Sequence, residues 1–136
     1  MLPIEVGMNA EAAGRLQTLR VFVVEDESLV AMQLEDILAD LGCAVVGMAM
    51  RLSRALEMLE TIKEIDVAIL DVNLGGEKVY AVAETLRGRG VPMVFATGYG
   101  RGGVLAEWQS RPVLQKPYTD AQVAQVLVEA VTPRAN

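Results

Sequence analysis

The chain has 136 residues, enough for one compact domain with a real core and too few for two ordinary ones. Hydrophobic residues make up 52% of it and aromatics only 4%, so Val, Leu, Ala, Met and Ile must fill the core, as in a buried parallel sheet covered by helices. A formal charge of −6 with no basic, aromatic-interleaved patch argues against nucleic acid or an anionic membrane as partner, and no apolar run reaches the ~20 residues of a membrane span. One cysteine, Cys43, and no export-type start point to a reducing cytoplasm.

Residues 1–18 carry scattered Gly, Asn and Pro with no sustained period and are expected to form a flexible or short helical extension. A domain over 19–132 and a C-terminal tail, 133–136, follow. Within the domain, short β-branched runs alternate with amphipathic stretches. The pattern predicts strands at Arg20–Val24, Ala44–Met50, Val67–Leu70, Pro92–Ala96 and Val113–Leu114. It predicts helices at Ser28–Leu41, Ser53–Thr61, Lys78–Arg87 and Thr119–Val131, with a weaker short one near Gly103–Trp108. Turn chemistry supports these limits: Gly42 and Gly90 suit helix ends, Thr119 can cap the last helix with Asp120 in its first turn, and Pro133 stops it. Five β/α alternations imply a parallel sheet with right-handed crossovers.

In a doubly wound sheet, ligands bind beyond the carboxyl ends of the strands. Glu25 and Asp26 follow the first strand, Asp71 the third, Thr97 the fourth and Lys116 the fifth. Three carboxylates held together repel one another unless a cation neutralises them, and an oxygen-only set with few protein ligands suits Mg²⁺. Asp71 ends an apolar strand, where its carboxylate can attack phosphorus to give an acyl phosphate. Such transfer asks mainly for positioning and neutralisation of the equatorial oxygens, tasks open to Mg²⁺, the Lys116 ammonium and the Thr97 hydroxyl. The chain has no histidine, which fits a domain that receives its phosphoryl group from another protein's histidine.

Four motifs stand at strand ends in the right order: V-V-E-D-E at 23–27, I-L-D-V-N-L at 69–74, F-A-T-G-Y at 95–99 and Q-K-P-Y at 115–118. Together they resemble the response-regulator receiver domains of bacterial two-component systems, over about Leu19 to Val131. The resemblance implies a flavodoxin-like α/β fold, a five-stranded parallel sheet in the order 2-1-3-4-5 with helices on both faces. It implies Asp71 as phosphoacceptor and Asp26 as direct Mg²⁺ ligand, with Glu25 a metal contact often through water and Asn73 offering its backbone carbonyl. It also implies Thr97 and Lys116 as phosphoryl-binding groups. A sensor histidine kinase or histidine phosphotransfer protein would be the donor, and a further, unidentified protein the downstream partner.

Two departures stand out. Val113 occupies the fifth-strand position where family members usually carry a switching aromatic, and Glu25 stands where Asp is also common. With F-A-T-G at 95–98 they make the chain similar to a receiver subgroup rich in stand-alone members. Val113 is too small and stiff to swing between two pockets, so Tyr99, directly after Thr97 and Gly98, becomes the candidate switch aromatic. The bond from Lys116 to Pro117 is expected to be cis. Singly, each carboxylate reads as a solvated loop residue and Lys116 as a surface lysine, and only the combination favours a site. Cys43 reads as a small hydrophobe, Met48, Met50 and Met58 as core or groove filler, and Trp108 as buried. Two other functions compete: a phosphorylation-independent interaction module on the same fold, and an aspartate-nucleophile phosphatase. The phosphatase would carry D-x-D after the first strand, which this chain does not.

Overall fold

A computed structural model of the chain describes residues 10–133; residues 1–9 of the extension and 134–136 of the tail lie outside it. Nine elements build the domain: β1 (Arg20–Val24), α2 (Ser28–Asp40), β2 (Ala44–Ala49), α3 (Leu52–Thr61), β3 (Val67–Asp71), α4 (Tyr80–Gly88), β6 (Met93–Thr97), β7 (Val113–Gln115) and α5 (Asp120–Val131). Three more sit around them: a leading helix, α1 (Ala10–Leu16), and the hairpin strands β4 (Asn73–Leu74) and β5 (Glu77–Lys78). The main sheet runs β2-β1-β3-β6-β7 with every pairing parallel. Leaving the hairpin aside, that is the 2-1-3-4-5 order of a flavodoxin-like fold.

The strand alternation explains how one sheet makes two cores. Phe22, Val24, Ala68, Leu70, Met93 and Phe95 face one side, where α3 and α4 cover them with Ala55, Leu59, Val82 and Leu86. Val21, Val23, Val67, Ile69, Val94 and Ala96 face the other, under Leu34 and Leu38 of α2 and Val123 and Leu127 of α5. Every residue of β3 is buried, as a central parallel strand requires. Each fully buried Leu, Val or Phe contributes roughly 1.5–3 kcal/mol relative to exposure, so both helical layers are held mainly by these apolar faces.

The ends of the elements follow the expected chemistry. Gly42 takes φ 89° after α2. Thr119 and Gln122 form a reciprocal capping box on α5: Gln122 N–H donates to Thr119 Oγ1 at 3.2 Å and Thr119 N–H to Gln122 Oε1 at 2.8 Å. The Lys116–Pro117 bond is cis.

Two features differ from the sequence reading. The helix expected to start at Lys78 starts at Tyr80, because Lys78 pairs with Asn73 in a hairpin. Its two-residue turn, Gly75-Gly76, has positive φ at both positions, the geometry that matches the twist of paired strands. The short helix near Gly103–Trp108 is instead two 3-10 turns, Gly100–Gly103 and Ala106–Trp108. The described part of the extension is α1, docked on α5: Leu16 is fully buried, Arg15 donates to Thr132 Oγ1 at 2.8 Å, and Cys43 Sγ lies 3.4 Å from the Leu16 carbonyl. Trp108 is buried, stacked on Tyr80 at 6.3 Å between centroids and edge-on to Phe95 at 5.7 Å.

Candidate functional site

The register of the sheet carries the predicted residues to one rim. Val24 pairs with Leu70, Asp71 with Ala96, and Thr97 with Gln115, so Glu25, Asp71, Thr97 and Lys116 step along the carboxyl edge of four neighbouring strands. Backbone bonds continue the ladder past the strand ends, from Glu25 N–H to the Ala49 carbonyl at 3.0 Å and from Lys116 N–H to the Thr97 carbonyl at 2.9 Å.

At this rim Lys116 Nζ lies 3.0 Å from Glu25 Oε1 and 3.1 Å from Asp71 Oδ2. Glu25 is only 2% exposed, and Asp71 and Thr97 are also buried. Carboxylate oxygens of Glu25, Asp26 and Asp71 lie within 4.8 Å of one another. Burial pushes the Glu25 carboxyl up to about 7 against the pull of Lys116, and raises Asp71 above the ordinary carboxylate range. Burial disfavours the Lys116 ammonium, yet the two carboxylates beside it outweigh that and hold its pKa above the usual lysine value. Three acidic groups against one ammonium leave a deficit of two positive charges, which a divalent cation of hard character would fill, and the donor set is all oxygen.

The hairpin borders this cluster. Asn73 N–H donates to Asp71 Oδ1 at 3.3 Å. A Cβ on Gly75 would lie 3.9 Å from Asp26 Oδ2. Asp26 itself opens onto a cavity of about 550 Å³ lined also by Met50, Arg51, Leu74 and Glu77.

Thr97 Oγ1 accepts the Tyr99 N–H at 3.1 Å, and the Gly100–Gly103 turn is seated on it so closely that a Cβ on Gly103 would fall 2.5 Å from that oxygen. Tyr99 itself projects outward, 84% exposed. Val113 pairs with Phe95 and packs, partly buried, against the α3–α4 side of the core.

Sequence reasoning missed two neighbours. Glu27 adds a third carboxylate 3.7 Å from Lys116 Nζ, and its N–H donates to Glu25 Oε2 at 3.1 Å; the V-V-E-D-E run contained it. The Tyr118 hydroxyl is buried beside the cluster with no hydrogen-bond partner among the described residues, and burial pushes its pKa up to about 12.

A family model, the response regulator receiver domain, matches residues 21–128. The chain belongs to the receiver-domain family. Receiver domains generally bind Mg²⁺ and work with histidine kinases, and they are signalling regulators rather than classical enzymes. Among solved structures, SdrG from Sphingomonas melonis Fr1 is 46% identical with a TM-score of 0.75, covering 86% of this chain and 98% of its own. The receiver domain of PhyR from Erythrobacter litoralis is 27% identical with a TM-score of 0.73, covering 90% of this chain and 100% of its own. The phyllosphere-induced regulator PhyR of Methylorubrum extorquens is 30% identical over 117 residues, 82% of this chain. The chain spans 43% of that relative's length. No described helix is long and apolar enough to cross a membrane.

Proposed function

We propose that this receiver is a single-domain, cytoplasmic response regulator that takes a phosphoryl group on Asp71 and signals by phosphorylation-dependent binding of a partner protein or drains phosphate as a sink. The donor is a phosphohistidine of a sensor kinase or phosphotransfer protein. The observation that carries this reading is the Lys116 ammonium held between the buried Glu25 and Asp71 carboxylates, with Asp26 in the same cluster.

In this reading an Asp71 carboxylate oxygen forms a bond to phosphorus as the P–N bond of the donor breaks, and the departing imidazole takes a proton from solvent. No general base is required, because the nucleophile is a carboxylate, whose anion Lys116 and a bound cation would favour against the burial that raises its pKa. The carboxylates of Glu25, Asp26 and Asp71 and the Asn73 carbonyl would hold Mg²⁺, which when bound neutralises the acidic cluster and one phosphoryl oxygen. Lys116, already 3.1 Å from Asp71, pairs with a second oxygen. The Thr97 hydroxyl, whose oxygen accepts from Tyr99 N–H and whose proton is free to donate, takes a third. The domain would catalyse only its own phosphorylation and dephosphorylation.

Incubation with acetyl phosphate and Mg²⁺ should add one phosphoryl group per chain by intact mass, and Asp71→Asn should abolish it. Unchanged labelling of the variant removes Asp71 from its role. A parent chain that is never labelled, yet binds its partner, favours the phosphorylation-independent module.

A further inference from the structure

Among the described residues one buried side-chain polar atom has no hydrogen-bond partner, the Tyr118 hydroxyl. Tyr118 is 6% exposed, and its ring belongs to the core layer that contains Leu34, Leu38, Val123 and Leu127. A phenol there carries the cost of stripping its O–H of water and gains no bond in return, so phenylalanine would serve this state of the protein better. An orphan of this kind points to another state, in which an acceptor comes within its reach.

The acceptors beside it are carboxylates. The charges of Glu25, Lys116, Asp71 and Glu27 all act on the hydroxyl. Lys116 Nζ ties the other three together, at 3.0 Å from Glu25 Oε1, 3.1 Å from Asp71 Oδ2 and 3.7 Å from Glu27 Oε1. Of these carboxylates Glu25 depends most on the ammonium. Its two N–H donors among the described residues are Lys116, on Oε1, and the Glu27 backbone, on Oε2 at 3.1 Å, and at 2% exposure bulk water cannot replace a lost one. Glu27, 63% exposed, stays hydrated, and Asp71 becomes an acyl phosphate in the function proposed above. The chain around Tyr118 is fixed on both sides, by Lys116 N–H on the Thr97 carbonyl at 2.9 Å and by Thr119 N–H on Gln122 Oε1 at 2.8 Å, so any exchange of partners falls to side chains.

We propose that Tyr118 is a positioning residue of the phosphorylated site: when Lys116 turns from Glu25 to a phosphoryl oxygen on Asp71, the Tyr118 hydroxyl donates to Glu25 in its place. The proposal rests on phosphorylation of Asp71. One exchange then removes two buried defects, the donor that lacks an acceptor in the resting protein and the acceptor that Lys116 leaves behind. Lys116 can give its donors to the phosphoryl group while Glu25 keeps its orientation. Tyr118 touches neither phosphorus nor the attacking oxygen, so it acts through Glu25 and Lys116 alone.

The test is Tyr118→Phe in the full chain, which deletes the hydroxyl and nothing else. In chelator, without a phosphodonor, the variant should unfold at a higher urea concentration than the parent. Acetyl phosphate with Mg²⁺ should still add one phosphoryl group per chain, but beryllofluoride with Mg²⁺ should bind the variant at least about fivefold more weakly in an amide chemical-shift titration. The parent, labelled with ¹³C at Cζ of its three tyrosines, supplies a direct signature. The Tyr118 signal, identified by its loss in the variant, should shift on addition of beryllofluoride with Mg²⁺ and stay in place with Mg²⁺ alone. A variant that unfolds earlier in chelator means that the hydroxyl is already bonded in the resting protein and overturns the proposal. So does an unchanged beryllofluoride affinity, a Tyr118 signal unmoved in saturated protein, or one moved as far by Mg²⁺ alone. If those outcomes come with normal labelling of Asp71, only the exchange falls. A parent that takes neither phosphate nor beryllofluoride overturns the phosphorylation reading, and the exchange with it.

Discussion

Replacing Glu25 by glutamine should stabilise the metal-free protein at alkaline pH, although it removes a charged partner of Lys116. Glu25 is 2% exposed, and burial lifts its carboxyl from 4.5 to about 7. A group that holds its proton more tightly in the fold than in the unfolded chain gives its full contribution below the unfolded pKa, and loses it as pH rises through the folded value. For Glu25 that window runs from 4.5 to about 7. Above it the ionised buried carboxylate costs the fold about 3 kcal/mol, the free-energy equivalent of that displacement.

Glutamine keeps the shape and an acceptor oxygen, and Lys116 retains Asp71 at 3.1 Å, so part of the gain is offset by a weaker hydrogen bond to the ammonium. A net stabilisation of about 1–2 kcal/mol is expected at pH 8, smaller at pH 5 and vanishing only well below pH 4.5, where Glu25 is protonated in both states. Urea unfolding in chelator, followed by Trp108 fluorescence and circular dichroism at pH 8 and pH 5, measures both points. In saturating Mg²⁺ the order should invert, because binding stabilises the parent more than the variant. A variant less stable than the parent at pH 8 without divalent cations would refute the electrostatic reasoning.

Mg²⁺ affinity of the metal-free protein should rise between pH 5 and pH 8 as Glu25 sheds its proton, and Asp26→Asn should weaken it more than Glu25→Gln; equal losses in a calorimetric titration would contradict the division into direct and water-mediated ligands. Thr119→Ala removes the capping-box acceptor on α5 and should cost about 1 kcal/mol in chemical denaturation, clearly more than Thr85→Ala, whose hydroxyl only bonds back to the Ala81 carbonyl. Gly103→Ala would place a Cβ 2.5 Å from Thr97 Oγ1 and 2.9 Å from Tyr99 Cβ, so residues 98–108 should exchange amide hydrogens faster in the resting protein at a cost of about 1–3 kcal/mol. Unchanged exchange there would mean that the turn is not held by its seat on Thr97.

What could be read in the sequence was what local chemistry decides. β1 has the same limits in both readings because the four-residue apolar run Val21–Val24, set between Arg20 and Glu25, leaves no other period, and α5 began where Thr119 could cap it. The rim residues were legible because each follows an apolar strand, and the parallel register then brings strand ends level without further information. The hairpin was not read, since two strands of two residues have no period; its one signal was the Gly75-Gly76 pair. α1 is seven residues long, too short to be stable alone, and exists through Leu16 and Arg15 packing on α5, a contact between the two ends of the domain that no local pattern announces. By local chemistry the Gly100–Gly103 turn would be loosely restrained, because four glycines stand between 98 and 103. Tertiary contact decides otherwise: glycine at 103 is what lets the backbone lie against Thr97.

That contact bears on how a receiver with Val113 in place of an aromatic can pass a signal on. The segment from 98 to 108 hangs between two anchors. At one end Thr97 Oγ1 accepts the Tyr99 N–H at 3.1 Å with Gly103 seated on the same oxygen. At the other, Tyr80 Oη accepts the Leu105 N–H at 3.0 Å and Trp108 is packed between Tyr80 and Phe95. The second anchor is an aromatic cluster in which Trp108 and Phe95 are buried, so it is the fixed one. The first is a single hydroxyl whose own proton is available to an incoming phosphoryl oxygen. If that hydroxyl moves, Tyr99 N–H follows it and Gly103 loses its seat, and the strain falls on a stretch of glycines with little resistance to new backbone angles. Val113 need not move at all, being packed into the α3–α4 core. Tyr99 starts 84% exposed and can gain burial when the backbone beneath it turns, which supplies the free-energy difference that a swinging fifth-strand aromatic would otherwise provide. The output is then a rearranged 98–108 surface rather than an exchanged side chain. On free and beryllofluoride-bound protein the difference in hydrogen exchange should be concentrated in that segment, while changes confined to Val113 and α5 would return the signal to the fifth strand.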